Sequence, residues 1–317
     1  MKLVSKYKKI CMVLCSVFLI IILISKIDVK MVVETIHDNG KYAIIFSVIL
    51  NNMSILLAAF KWKLLLGGVK IIKLIEICLK AQFYSIVLPG QLFGEGAKVI
   101  YLSNGEQSLE NATTSVIFDK ITSLAGMILL GGLGLLITET EVSLNISKWI
   151  VIMMLLFILM LIILSNRQMY NIIYHYISEK RNIKIIPIIL KYLESWGGYI
   201  DNKGRIIQSV LLGICNHLLV SLQLSINISF LGYEFHIGDA CWVSVIISIM
   251  QLLPISLGGL GVREVSLVGM LSLFNIPTEV AVATSFINYF SSIPGAFIGG
   301  ILCLFEKRNI GRKKSNE

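Results

Sequence analysis

Residues 88–98 read Leu-Pro-Gly-Gln-Leu-Phe-Gly-Glu-Gly-Ala-Lys, and residues 253–263 read Leu-Pro-Ile-Ser-Leu-Gly-Gly-Leu-Gly-Val-Arg. The two stretches align at a constant offset of 165 residues (254 − 89), with Leu, Pro, Leu, Gly and Gly in common and Lys98 opposite Arg263. Matched helix interruptions in two apolar halves are typical of membrane proteins in which broken helices form a binding site. The repeat therefore predicts a carrier, and its two cations indicate an anionic guest.

The composition places the chain in a membrane. Hydrophobic residues make up 56% of its 317 residues and charged residues only 15%, which is more apolar surface than one water-soluble domain can bury. The formal net charge of +9 comes from cations in short segments beside apolar runs, which indicates membrane topology and not nucleic-acid binding. The six cysteines are scattered singly, so neither a metal site nor a cofactor is predicted.

Apolar runs of the length that a membrane requires predict six transmembrane helices. Two further stretches, residues 71–101 and 240–275, carry Pro and Gly at their centres, and we expect each to form a re-entrant helical hairpin. The predicted fold class is an all-α integral membrane protein with about six transmembrane helices plus two re-entrant hairpins. The six spans are residues 10–27, 41–60, 115–137, 149–165, 206–229 and 281–305.

The distribution of Lys and Arg predicts the orientation in the cell membrane. Cations collect before the first span, after the second, within residues 167–205 and after residue 306, and such segments stay cytoplasmic. Both termini are therefore predicted to be cytoplasmic. The first hairpin then opens inward and the second outward, so the halves form an inverted-repeat arrangement in which Asn51 aligns with Asn216. The group after the second span consists of Lys61, Lys63, Lys70, Lys73 and Lys80.

The chain is predicted to be a single polytopic membrane domain. Its first half covers about residues 1–148 and its second half about 149–306, followed by a basic cytoplasmic tail at 307–317. The longest polar stretch, residues 166–205, is too short for a catalytic domain. Its apolar positions predict a cytoplasmic, amphipathic linker at the membrane interface. These positions are Ile172, Ile173, Tyr176 and Ile177.

The broken helices are predicted to carry the binding site. Each second half-helix should start near Gly94 or Gly259, where free N–H groups and the helix dipole favour an anion. Lys98 and Arg263 lie in or near these first turns, so both should reach one polar pocket that binds a phosphate-bearing headgroup. The other candidate binding residues are Gly96, Gly261, Glu95, Glu264, Asp119, Lys120, Gln91, Asn51 and Asn216.

The acidic residues leave more than one interpretation open. Glu95 and Glu264 could neutralise the neighbouring cations or cap helices, and Asp119 with Lys120 could partner Lys98 or extend to the membrane interface. A membrane-embedded transferase, in contrast, would use Glu95, Glu264 or Asp119 as a general base. A carrier for a solute or an ion would share the architecture. Matched residues in the two halves favour a carrier, so no catalytic residue is assigned.

Three motifs resemble the lysylphosphatidylglycerol synthase transmembrane region family, also called the flippase-like domain family. They lie at residues 80–98, 112–120 and 254–264, and the resemblance covers nearly the whole chain. The family pattern has Arg where this sequence has Lys98 and Lys120, and Lys binds phosphate as a point charge without the fork of Arg.

The resemblance implies that a lipid is transferred between leaflets. That lipid would be an aminoacylated phosphatidylglycerol or a polyprenyl-phosphate-linked glycolipid. In fused members a separate soluble domain makes the aminoacylated lipid from aminoacyl-tRNA, and this chain resembles the free-standing members without that domain. The resemblance also implies partners among the enzymes of envelope lipid or polysaccharide synthesis. The alternative role is an accessory subunit of a phosphatidylglycerol lysyltransferase-type or polysaccharide-assembly pathway.

Overall fold

The computed structural model describes residues 29–88, 92–105, 107–138, 166–179, 186–252 and 261–314, with single positions at 148, 151, 152, 155 and 159. All regular structure in these described ranges is helical. The predicted first span, residues 10–27, lies outside them, as does nearly all of residues 149–165. The helices are α1 (Val29–Leu66), α2 (Ile71–Val87), α3 (Leu92–Ser103), α4 (Leu109–Ile137), α5 (Arg167–Ser178), α6 (Ile186–Ile200), α7 (Lys203–Phe230), α8 (Ile237–Leu252), α9 (Val262–Leu271) and α10 (Thr278–Lys314), with a 3₁₀ turn at Ser272–Phe274.

Four of these helices are long and apolar enough to cross a membrane. They are α1 over Gly40–Leu66, α4, α7, and α10 over Thr278–Phe305. Each contains one predicted span, so the prediction of a multi-pass, all-α membrane protein is confirmed for these four. Helix α1 continues six residues beyond the predicted end at residue 60 because Lys61, which ended the apolar run, is buried in the protein interior.

The two interrupted stretches are broken where the sequence predicts. Helix α2 ends at Val87 and α8 ends at Leu252, each shortly before a proline that disfavours helical geometry in the residue preceding it. Helix α9 begins after Gly261, whose φ of 85° is a conformation that favours glycine. The centres of both motifs, residues 89–91 and 253–260, lie outside the described residues. Helix α2 packs against α3, and α8 packs against α9.

The order and packing of the helices repeat in the two halves. Shifting the bounds of α2 by the sequence offset of 165 gives residues 236–252, and α8 occupies Ile237–Leu252. In the same way α1 corresponds to α7, α3 to α9 and α4 to α10. The contacts repeat as well: α2 packs on α10 and α8 packs on α4, while α1 packs on α10 and α7 packs on α4. Helices α1 and α7 pack against each other and join the halves.

Each half has its own apolar core. One cluster joins α1, α2, α3 and α4 around Trp62, and the other joins α7, α8, α9 and α10 around Trp242 and also includes Ala43 of α1. Large apolar side chains such as Phe60 and Phe297 are exposed on the outside of the bundle, which suits a surface that faces lipid. Most buried polar and charged side chains belong to the long helices that join the two cores.

In the predicted linker, residues 166–205, the described residues form α5, α6 and the start of α7. Asn166 caps α5 by accepting hydrogen bonds from the backbone N–H groups of Gln168 and Met169. Helix α6 packs on α4, where Trp196 and Tyr199 lie 5.1 Å and 5.0 Å from the ring of Phe118. The apolar side chains Ile172, Ile173 and Tyr176 of α5 are exposed, as an amphipathic interfacial helix requires.

Candidate functional site

A polar cavity lies between the two halves and has two adjoining chambers. The first chamber has a volume of about 470 Å³ and the second about 430 Å³, which is the size range of small-molecule sites. They adjoin each other and share part of their lining. The shared residues are Asn51, Gln82, Ser85, Glu95, Lys120, Ser248 and Gln251.

One carboxylate in the first chamber bridges two lysines. Glu95 Oε2 lies 3.0 Å from Lys98 Nζ, and Glu95 Oε1 lies 3.5 Å from Lys120 Nζ. Lys98 also lies 5.7 Å from the centre of the Trp62 ring, a cation–π distance. Helix α3 supplies Glu95 and Lys98, and α4 supplies Lys120, so these ion pairs tie the second half of the broken helix to the next span.

A buried ion pair forms another part of this chamber wall. Lys61 Nζ lies 3.1 Å from Asp119 Oδ1, donates to the backbone oxygen of Asp119 at 2.7 Å and contacts Ser123 Oγ. Asp119 was expected to partner Lys98 or to reach the interface, and its close cation is Lys61 instead. Sequence reasoning missed Lys61 because it was counted among the cytoplasmic cations. The available signal was that apolar residues flank Lys61 on both sides and, apart from Lys63, continue to Leu66.

Lys80 is a second cation of that group that lies in the interior. Its side chain is 0% exposed, its Nζ lies 2.5 Å from Glu76 Oε1, and it lies 4.5 Å from the centre of the Tyr101 ring. Two of the five cations assigned to the cytoplasmic surface therefore have neighbours inside the protein. The charge of Lys80 is stabilised by the carboxylate of Glu76, four residues earlier in the same helix, and by the aromatic ring of Tyr101.

The second chamber contains Arg263. Its Nη2 lies 2.6 Å from Glu264 Oε1, its Nε donates to Ser285 Oγ at 2.7 Å, and its guanidinium carbon lies 5.4 Å from the centre of the Tyr289 ring. Glu264 Oε2 also accepts a 2.5 Å hydrogen bond from the backbone N–H of Gly261. Glu264 therefore has both of the alternative roles considered for it, because it neutralises Arg263 and caps α9.

The helix starts differ in part from the sequence prediction. Arg263 is the second residue of α9 and lies in its first turn, whereas Lys98 is the seventh residue of α3 and lies beyond the first turn. The Gly261 N–H already donates to Glu264, so the start of α9 offers fewer free donors to a guest than expected. Gln91 and Gly259 lie outside the described residues.

The two remaining glycines of the first motif have different surroundings. Gly94 lines the first chamber and allows α3 to approach α2, because a Cβ at this position would lie 2.7 Å from the backbone oxygen of Ala81 and collide with Ser85 Oγ. Gly96 is exposed, and a Cβ there would meet nothing within 4 Å. The structure therefore places Gly94 at the cavity and Gly96 away from its lining.

The aligned asparagines Asn51 and Asn216 both line the first chamber. Asn51 Oδ1 accepts a 3.1 Å hydrogen bond from Gln82 Nε2. Asn216 Oδ1 accepts from Ser54 Oγ at 2.8 Å, and its Nδ2 donates to the Ser54 backbone oxygen at 3.0 Å. These bonds join α1 to α2 and α1 to α7, so the residues support the chamber wall where the halves meet.

Sequence reasoning missed the amides of the second chamber. Gln223 Nε2 donates to Asn288 Oδ1 at 2.9 Å, and Asn227 Nδ2 donates to the same oxygen at 2.8 Å. Gln223 and Asn227 are four residues apart in an apolar helix, which places both on one face. That spacing was the available signal.

The family model for the lysylphosphatidylglycerol synthase TM region matches residues 10–299. The chain belongs to this family. The resemblance found in the sequence motifs is thereby confirmed, and it points to a role connected with membrane lipids. No curated protein and no solved structure matches the chain significantly.

In this family member, three cations among the described residues line the cavity, and each contacts a carboxylate. Lys98 and Lys120 share Glu95, while Arg263 pairs with Glu264. Charged groups this deep in an apolar bundle are costly and mark functional sites in membrane proteins. The arrangement suits an anionic group that takes the place of a carboxylate beside the cations, because phosphate forms strong charge-assisted hydrogen bonds with Lys and Arg.

Proposed function

We propose that the protein is a flippase-like translocase that moves a phosphate-bearing, anionic lipid between the leaflets of the cell membrane. The observation that carries this proposal is the pair of adjoining polar chambers between the two broken helix pairs. Lys98, Lys120 and Arg263 line these chambers, inside a bundle whose outer surface carries large apolar side chains. A lipid headgroup needs such a polar path because the hydrocarbon core of the membrane excludes it.

The two halves are proposed to form an inverted repeat with two re-entrant hairpins. The shared element order, the constant offset and the exchanged packing partners support this arrangement. In this arrangement α2 with α3 enters from the cytoplasm, α8 with α9 enters from outside, and both termini are cytoplasmic. Rocking of one half against the other then opens the cavity to either side in turn.

The headgroup phosphate is proposed to bind where Glu95 now bridges two lysines. Glu95 belongs to the lining of both chambers, and its two oxygens contact cations from two helices. A phosphate that displaces it brings its own charge to Lys98 and Lys120, so no cation is left unpaired. The acyl chains remain in the lipid beside the exposed apolar faces of the bundle.

A transferase has less support from the same geometry. Glu95, Glu264 and Asp119 would be its candidate general bases, and each contacts a Lys or Arg within 3.1 Å. An ion pair of this kind stabilises the ionised carboxylate and weakens it as a base. Enzymes of envelope lipid or polysaccharide synthesis are proposed as pathway partners that supply or use the translocated lipid.

The test is lipid exchange in liposomes that contain the purified protein. Labelled phosphatidylglycerol is placed in both leaflets, and an outer-leaflet quencher reports how fast the inner pool becomes accessible. We expect the wild type to accelerate exchange and Lys98→Gln to slow it at least about tenfold, since one strong charge-assisted contact is lost. Glu95 keeps Lys120 as a partner in this variant, so folding is expected to persist.

Two further variants complete the experiment. Arg263→Ala alone leaves the buried Glu264 without its cation, so the double variant Arg263→Gln, Glu264→Gln tests the second chamber without an unpaired charge. We expect it to abolish exchange. The control is Lys73→Gln, because Lys73 is about one-third exposed and pairs with Glu76 at 3.7 Å. Unchanged exchange in Lys98→Gln and in the double variant, with folding intact, contradicts the proposal.

A further inference from the structure

The charged residues of the cavity are concentrated in the first half of the repeat. At the offset of 165, Lys61 aligns with Ile226, and Glu95 aligns with Leu260. Asp119 and Lys120 align with Thr284 and Ser285. Only Lys98 has a charged counterpart, Arg263. The two chambers, although formed by corresponding elements, therefore present different chemistry.

The second chamber is lined mainly by uncharged polar groups. It adds Gln223, Ser244, Asn288 and Ser292 to the amides and hydroxyls that it shares with the first chamber. The ring of Tyr289 forms part of its wall, and among the described lining residues its cation besides the shared Lys120 is Arg263, which Glu264 neutralises. The described lining offers many hydrogen bonds, and its one carboxylate, the shared Glu95, is paired with cations.

Two amides of this chamber are fixed in complementary orientations. Asn288 Oδ1 accepts hydrogen bonds from both Gln223 and Asn227, and no described residue accepts a hydrogen bond from its Nδ2, whose hydrogens are available to a guest. Gln223 Nε2 donates to Asn288 and to Ser291 Oγ at 3.1 Å, so its Oε1 is left as an acceptor. A hydroxyl group both donates and accepts, and a neighbouring donor and acceptor match it.

We infer that the second chamber binds an uncharged polyhydroxyl group, a sugar or a cyclic polyol, attached to the phosphate of the lipid. The inference rests on the proposed function and extends it to the substrate class. The phosphate lies at the shared wall by Glu95 and Lys120, and the polyol extends towards Asn288 and Gln223, with a ring face against Tyr289. An aminoacyl group fits less well, because its ammonium would meet Arg263 and no unpaired carboxylate.

Binding of short-chain lipids to the purified protein in detergent tests this inference. Dioctanoyl phosphatidylinositol carries a cyclic polyol on its phosphate, whereas dioctanoyl phosphatidic acid carries the phosphate alone. We expect the inositol lipid to bind about tenfold more tightly, as two to three additional hydrogen bonds provide. Lysyl-phosphatidylglycerol, added as a third ligand, should bind no more tightly than phosphatidic acid.

Variants locate the preference in the second chamber. Asn288→Ala should bring the affinity for the inositol lipid down to that for phosphatidic acid and leave the latter unchanged. Because Asn288 accepts two buried hydrogen bonds and its loss could impair folding, Ile86→Trp narrows the same chamber from a side chain that forms no hydrogen bond. This variant should reduce the ratio of the affinity for the inositol lipid to the affinity for phosphatidic acid. Asn104→Ala, an exposed asparagine outside the lining, is the control and should keep the ratio.

The outcomes separate this inference from the proposed function. The polyol site is overturned if the wild type binds the inositol lipid and phosphatidic acid equally, or binds lysyl-phosphatidylglycerol more tightly than phosphatidic acid. In either case, binding of all three lipids that depends on Lys98 still supports a phosphate carrier. Binding of none of the three lipids, together with no exchange in liposomes, overturns the proposed function itself. The inference is also overturned if the Asn288→Ala and Ile86→Trp variants both still bind the inositol lipid more tightly than phosphatidic acid.

Discussion

Lys61 and Asp119 are an ion pair held inside the protein at the wall of the first chamber. The side chains are 2% and 11% exposed. Asp119→Asn removes the charge partner and leaves a buried lysine, which costs about 3–5 kcal/mol of folding stability. We expect a clearly lower thermal unfolding temperature in detergent. The control is Glu179→Gln, at a position that is 63% exposed, which should leave the unfolding temperature unchanged. Equal unfolding temperatures in the two variants would contradict a stabilising role for the buried ion pair.

Glu95 is the residue at which competition with a substrate is expected. Because its carboxylate occupies Lys98 and Lys120, Glu95→Gln should free both cations and raise the affinity for dioctanoyl phosphatidic acid several-fold. Isothermal titration in detergent measures this. Glu194→Gln provides the matched control, since Glu194 is exposed and accepts a hydrogen bond from Tyr174, away from the cavity lining. Weaker binding in Glu95→Gln would mean that Glu95 supports the site and does not compete for it.

At the scale of the elements, the approach of α3 to α2 depends on one glycine. Gly94→Ala places a methyl group against the Ala81 backbone oxygen and Ser85, and a collision with backbone in a packed interior is expected to destabilise by about 1–3 kcal/mol. Gly96→Ala is two residues away, meets open space and should stabilise by up to about 1 kcal/mol through helix propensity. Thermal unfolding of the Gly94→Ala and Gly96→Ala variants measures the difference. Equal changes in unfolding temperature would contradict the close packing of α3 on α2 at Gly94.

The sequence predicted the helix breaks and four spans closely because Pro, Gly and long apolar runs act locally. Helices α2 and α8 end within two residues of Pro89 and Pro254, as the steric rule for proline requires. The ion pair of Lys61 with Asp119 could not be predicted from the sequence. It joins residues 58 positions apart, and only the packing of α1 on α4 brings them together.

The same limit applies to the candidate site. Gly94, Lys98 and Arg263 were identified because the repeat marked them, Glu95 because it lies beside them in the first motif, and Lys120 because it is a charge near the start of a predicted span. The structure places all five at the cavity. The amides Gln223, Asn227 and Asn288 have no amide counterpart in the first half, so the repeat did not predict them as site residues. Their role depends on a hydrogen-bond network between α7 and α10, which sequence spacing within one helix does not reveal.

At the scale of the whole molecule, a repeated scaffold carries an unequal distribution of charge. The matching packing of α2 on α10 and of α8 on α4 suits two halves that rock as units. The first chamber concentrates cations and carboxylates, and the second concentrates neutral polar groups. The two chambers share Ser248 and Gln251, so a headgroup that occupies both would contact the two halves at once and respond to their movement.

Accessibility of Ser248 tests most directly that a single cavity opens to both sides of the membrane. In a protein whose six cysteines are replaced, Ser248→Cys is exposed to a membrane-impermeant thiol reagent from the inside or the outside of oriented vesicles. We expect labelling from either side, slowed by dioctanoyl phosphatidylinositol. Labelling from one side only, or labelling that the lipid leaves unchanged, contradicts it.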